Sequence, residues 1–121
     1  AEMVKGLELI IGAKNDFQFG PMVLLGMGGV GVEIYKDVSL RMAPLKERDA
    51  DHMIQELTAR KLLTGYRSSE PINMSALKKT IVNFSKLMMD LQDIVESVDL
   101  NPVMCTAKTC TVVDSRIMLK K

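Results

Sequence analysis

The sequence predicts an α+β fold, a mainly antiparallel sheet with helices on one face, in the order βββααββ. Three observations carry that prediction. Up to Ala43 the chain runs as apolar, strand-like segments separated by glycine-rich or polar turn signals. Between Lys46 and Leu91 the apolar residues recur at helical spacing. From Val95 onward the period falls to two.

Taken in order, Val4 to Ala13 is rich in Leu and Ile and predicts a first strand, with Lys14, Asn15 and Asp16 as its turn. Phe17 to Leu25 resumes the apolar run as a second strand, and Pro21 suits an edge or bulge position. Gly26 to Gly29 predicts the next turn. Val30 to Ala43 predicts a third strand, alternating around Val32, Ile34 and Val38, which completes a meander. Pro44 ends it. Lys46 to Leu63 predicts a helix, because Ala50, Met53, Ile54 and Leu57 fall at i, i+3, i+4 and i+7. Glu47 and Asp49 occupy its first turn, where the helix dipole favours negative charge. Asn73 or Ser75 can cap a second helix whose apolar stripe is Leu77, Ile81, Phe84, Met88 and Leu91. Val98 and Leu100 then point one way along a strand, and Asp99 and Asn101 the other. Thr106 to Thr109 predicts a turn, and Thr111 to Leu119 the last strand.

Length and composition bound the function. The 121 residues make one domain at most, a single unit over 1–121. At this size folding buries about two thirds of the unfolded surface, enough for one core. Lys and Arg total 16 against 15 Asp and Glu, a net charge of +1, which gives no basis for a nucleic-acid or anionic-membrane role. Two Tyr, three Phe and no Trp leave little to stack on bases. No apolar run reaches the roughly 18 residues of a membrane span. Cys105 and Cys110 lack CxxC spacing and a histidine partner, so they read as reduced packing thiols of a cytoplasmic protein. A chain that opens inside a strand at Ala1 reads as a piece of something longer.

Several patterns carry chemistry. Gly26, Gly28 and Gly31 match a dinucleotide fingerprint as a string, but that fingerprint must open a helix, and Val32 to Tyr35 read as strand. A glycine-rich hairpin turn is the better account. The single histidine, His52, sits among Asp49, Asp51 and Glu56 without a nucleophile or second ligand, and reads as a surface or boundary residue. Asp99 and Asn101 share one face of one strand, and a four-residue turn brings Asp114 level with Asn101. Such clustered oxygens suit Mg²⁺, which takes a few protein ligands and leaves places for phosphate and water. A solvent-facing hairpin is the competing account. Arg41 and Lys36 lie five apart on the third strand, on opposite faces, and either can be a phosphate contact or an exposed strand charge. Glu2 and Glu8 share a face of the first strand.

Four segments together resemble a known family. They are EMVKGLELIIGAKND (2–16), FGPMVLLGMGG (19–29), VEIYKDVSLRMAPL (32–45) and VDLNPV (98–103). In order and spacing they resemble the ATP-grasp domain of NDP-forming acyl-CoA synthetases, the group that includes ADP-forming acetate–CoA ligase. The resemblance covers nearly the whole chain, and implies the C-terminal lobe of that domain, beginning at the adenine hinge. It implies that Glu2, Met3 and Val4 form the hinge against adenine and that Glu8 faces the ribose hydroxyls. It implies that Asn101 and Asp114 hold Mg²⁺, with Asp99 beside them, and that Arg41 contacts phosphate. The implied cofactors are ATP or ADP and Mg²⁺, with CoA bound elsewhere in the full enzyme.

The implied partners are the N-terminal ATP-grasp lobe and a CoA-binding and CoA-ligase part, as domains or subunit of an oligomer. The implied reaction is acyl-CoA + ADP + phosphate ⇌ acid + CoA + ATP through phosphohistidine, with the isolated fragment inactive. His52 matches no histidine of that relay. Lys46 stands where relatives tend to place a helix-capping hydroxyl. The alternative is a regulatory, non-catalytic synthetase-like module of a protein acetyltransferase.

Overall fold

Residues 7–28, 37–57 and 72–120 are described by the structure, a computed structural model. Strand β1 runs Leu7–Asp16, β2 Gly20–Met27 and β3 Val38–Met42. Helices α1 (Glu47–Gln55) and α2 (Met74–Asp90) follow. Strands β4 (Val95–Cys105), β5 (Cys110–Val112) and β6 (Ser115–Leu119) close the chain. They form one sheet in the order β3-β2-β1-β4-β5, with β6 also on β4, and every ladder among the described residues is antiparallel. The predicted class holds, and so does the element order as far as β4, beyond which two strands stand in place of one.

Alternation explains the layers. Leu9, Ile11 and Ala13 of β1 and Val23 and Leu25 of β2 are buried on one side of the sheet. Met53, Ile54 and Leu57 meet them from the first helical segment, and Leu77, Ile81, Phe84 and Met88 from α2. All but Leu91, which is partly buried, of the two stripes anticipated from spacing lie in this core. The other side carries Glu8, Lys14, Val38, Leu40, Met42, Asp99 and Asn101, all exposed. Among the described residues the sheet therefore has one helix-covered face and one open face.

Polar groups in the core are paired. The Ser85 hydroxyl accepts from Leu45 N–H at 3.0 Å and donates to Val82 C=O at 2.8 Å. Ser39 on β3 donates to Met53 C=O at 2.9 Å, tying the edge strand to α1. Asn73 caps α2, its side chain accepting from Ala76 N–H at 3.0 Å. Lys46 is the N-cap of α1 and its ammonium can accept nothing. Asp49 makes the return bond instead, taking Lys46 N–H at 2.8 Å.

Four expectations change. The first turn occupies Phe17 to Phe19 rather than Lys14 to Asp16. Asp16 starts it, because its Oδ1 accepts from Gln18 and Phe19 N–H at 2.7 and 2.9 Å, and Gly20 supplies φ +80°. Gly26 belongs to β2 rather than a turn: a Cβ there would lie 2.8 Å from Val38 Cγ1 across the ladder. Helix α1 ends at Gln55, and Leu57 N–H closes a tighter turn onto Ile54 C=O at 3.1 Å, while Thr58 to Leu63 of the predicted helix lie outside the described residues. The single last strand is two, broken at Val113 and Asp114 opposite Asn101 and Pro102, and Pro102 has no N–H to give the ladder. The predicted strand over Val30 to Lys36, with Gly31, lies outside the described residues.

Candidate functional site: an oxygen cluster on the open face of the terminal hairpin

The hairpin of β4 with β5 and β6 keeps one register from end to end of its paired core. Cys105 faces Cys110, Val103 faces Val112, Leu100 faces Ser115 and Asp99 faces Arg116. Asn101 and Asp114 fall level within that register, and Asn101 N–H donates to Asp114 C=O at 3.2 Å. Directly opposed residues of an antiparallel pair project to the same side. Val98 and Leu100 turn to the helix face, so Asp99, Asn101, Asp114 and Arg116 stand on the open face.

Asp99, Asn101, Asp114, Ser115 and Arg116 line one cavity of ≈ 220 Å³. The side chains of Asp99, Asn101 and Asp114 are exposed, so no buried-polar cost demands a ligand here. What fits a cation is the chemistry of the donors, two carboxylates and one carboxamide oxygen with open space for water and phosphate. Among the described residues no three His, Cys, Asp or Glu side chains converge, so the set depends on the Asn101 amide as its third donor. Asp114 Oδ1 also accepts from Ser115 N–H at 2.8 Å, which orients the carboxylate at the cavity rim.

Gly12 on β1 is the direct neighbour of Asp99. A Cβ there would lie 3.6 Å from Asp99 Oδ1, so the glycine keeps the floor beside the cluster low. Glu8 is on the same open face of β1, exposed, and level with Met104 of β4. Between Leu9 and Ile11 the pairing slips by a residue at Asn101 and Pro102. Glu8 and Gly12 are four residues apart, about 13 Å along the strand.

The remaining site residues divide. Glu2, Met3 and Val4 lie outside the described residues, as does Lys36. Arg41 does not join the cluster. It shares the helix side of β3 with Ser39 and is ion-paired with Glu56 at the end of α1. That carboxylate holds the guanidinium on the face opposite Asp99, and the phosphate reading of Arg41 finds no support in this geometry. His52 is exposed on α1, also on the helix side, away from the cavity. Arg116 and Ser115 were missed in the sequence. The arithmetic that aligns Asn101 with Asp114 also aligns Asp99 with Arg116, and that was the available signal. Among the described residues the Arg116 guanidinium makes no hydrogen bond or ion pair.

The terminal hairpin thus presents an oxygen-rich cluster on the sheet face opposite the two helices. Comparison with known proteins gives the class: residues 1–119 match the ATP-grasp domain model, and the chain belongs to that family. Among its relatives is acetate–CoA ligase [ADP-forming] II subunit beta of Pyrococcus furiosus, 45% identical over 123 residues, covering 99% of this chain and 52% of that subunit. Acetate–CoA ligase [ADP-forming] I of Archaeoglobus fulgidus is 45% identical over 114 residues, covering 94% of this chain and 16% of that protein. A solved acetyl-coenzyme A synthetase of Ca. Korarchaeum cryptofilum, in complex with coenzyme A and Mg-AMPPCP, superposes at TM-score 0.91 with 47% identity, over 98% of this chain and 55% of that one. The chain thus spans about half the length of the Pyrococcus furiosus subunit and about a sixth of the Archaeoglobus fulgidus protein. The architecture is the one anticipated for the ATP-grasp domain of ADP-forming acyl-CoA synthetases.

Proposed function

We propose that this chain is the C-terminal, nucleotide- and Mg²⁺-binding lobe of an ADP-forming acyl-CoA synthetase of the acetate–CoA ligase type. In that enzyme it positions ATP or ADP for phosphoryl transfer through a phosphohistidine carried elsewhere. The observation that carries the reading is the convergence of Asp99, Asn101 and Asp114 on one open-face cavity. The relatives named above support the acyl-CoA side of the reaction.

Asn101 and Asp114 would hold the metal, with Asp99 beside them. When bound, Mg²⁺ supplies charge neutralisation at the β- and γ-phosphates. The chain's own part is positional. Glu8, on the same face, accepts from the ribose hydroxyls, and the intervening stretch of β1 sets the distance from nucleoside to phosphates. Gly12 leaves the phosphates room beside Asp99. Glu2, Met3 and Val4 would complete the adenine contact. The other half of the cleft belongs to an N-terminal lobe, and CoA to a separate ligase part, so the isolated chain should not turn over. The regulatory-module alternative is disfavoured, because a degenerate site has no need of the full donor set.

Calorimetric titration of the full-length protein with ATP tests the reading. Binding should be tight with millimolar Mg²⁺ and at least about tenfold weaker after chelation, a loss equal to roughly 1.4 kcal/mol. Affinity unchanged by chelation would overturn the metal assignment.

Arg116 adds a second expectation. A guanidinium at the rim of a phosphate site, without a hydrogen bond or ion pair among the described residues, suits bidentate contact with the transferred group. Charge-assisted bonds contribute about 1.5–3 kcal/mol. Arg116→Ala should therefore raise the nucleotide KM about tenfold or more in steady-state assays, with Arg116→Lys recovering part. Unchanged KM in Arg116→Ala would remove Arg116 from the site and leave the metal ligands untouched.

A further inference from the structure

At the far end of the same hairpin, Cys105 and Cys110 are direct cross-strand partners, flanking the Thr106 to Thr109 turn. Thr106 N–H closes the turn onto Thr109 C=O at 2.8 Å. Opposed residues of an antiparallel pair have Cα atoms about 4.5 or 5.5 Å apart. Both values lie inside the range of roughly 4.4–6.8 Å that a disulfide spans. The two side chains project to the same side, so covalent closure needs no change of register.

The two thiols differ in a way that orders a reaction. Cys105 is fully buried, whereas Cys110 is half-buried and donates to Asn73 C=O at 3.9 Å, beside the N-cap of α2. The hydrogen bond with Cys110, reinforced by burial, pushes the Cys105 thiol far above the ordinary thiol range. The same bond holds Cys110 below its ordinary value, against a smaller opposing effect of burial. Thiolate character and access therefore coincide at Cys110.

We propose that Cys105 and Cys110 are a modification site, a thiol pair that closes to an intramolecular disulfide when it meets a low-molecular-weight disulfide. Cys110 thiolate attacks one sulfur of the reagent, forms a mixed disulfide and expels one thiolate. Cys105 then attacks the Cys110 sulfur, forms the protein disulfide, releases its proton and expels the second thiolate. The two protein thiols are oxidised by two electrons, and one reagent disulfide is reduced to two thiols. Closure rests on the hairpin geometry and the order of attack on the access and acidity of the two thiols, and neither depends on nucleotide or metal binding.

Tryptic mapping tests it, because Lys108 lies between the two cysteines. The folded full-length protein is incubated with oxidised glutathione, blocked with an alkylating agent and digested without reductant. The expected product links peptides 87–108 and 109–116, and dithiothreitol separates them. Cys105→Ala should halt at a persistent glutathione adduct on Cys110, with a cooperative melting transition as the control for folding. Three outcomes overturn the proposal. One is a stable glutathione adduct on Cys110 in the unsubstituted protein. Another is a link between two chains on a non-reducing gel. The third is thiols that react only in denaturant.

Discussion

Replacing Asp114 with alanine in the full-length enzyme is expected to lower ADP-dependent turnover at least about 100-fold. A metal that stabilises transferring phosphate contributes several kcal/mol, and about 1.4 kcal/mol is tenfold in rate. The fold should not notice. Asp114 is exposed, and its side chain makes one local bond, to Ser115 N–H. Surface substitutions of this kind usually shift stability by no more than about 0.5 kcal/mol. Turnover assays across Mg²⁺ concentrations, with thermal melting as the control, read both quantities. A variant that melts normally and turns over normally would remove the carboxylate from the site. Partial recovery at high Mg²⁺ would place the loss in metal affinity.

The second large effect is structural. Ile81 is fully buried at the middle of α2, in the layer that backs β1 and β2. Truncation to alanine removes three carbons from a packed site and leaves a cavity, at a cost of about 2–5 kcal/mol. Domains of this kind hold about 5–15 kcal/mol in total, so much of the stability is at stake. Urea unfolding should show a lower midpoint with an unchanged slope. Phe17→Ala is the contrast, because Phe17 is entirely exposed at the tip of the β1–β2 turn and should shift the midpoint little. Equal losses from the two substitutions would contradict the assignment of the core.

The core follows from periodicity, and Ala50, Met53, Ile54, Leu57, Leu77, Ile81, Phe84 and Met88 were all legible from spacing. The Asn101 and Asp114 pairing was legible for a narrower reason. A four-residue turn fixes hairpin register locally, so the chain itself carries the alignment. The helix-face ion pair of Arg41 was not legible, because it depends on which side of β3 the α1 terminus docks. The strand break at Asp114 was not legible either: the missing N–H of Pro102 marks its own strand, but that the facing strand parts opposite it shows only in the paired hairpin.

By itself the sequence determined the element types, the sides on which Val98 and Asp99 point, and the helical stripes. Alternation and the helical period are properties of a single segment, and no neighbour is needed to read them. Only the tertiary structure decided that Gly12 lies beside Asp99, that Glu8 shares their face across a shifted register, and that Arg116 rather than Arg41 borders the oxygen cluster. Those are relations between strands. They are set by which ladder forms next to which, and by the side of the sheet that the two helices leave open.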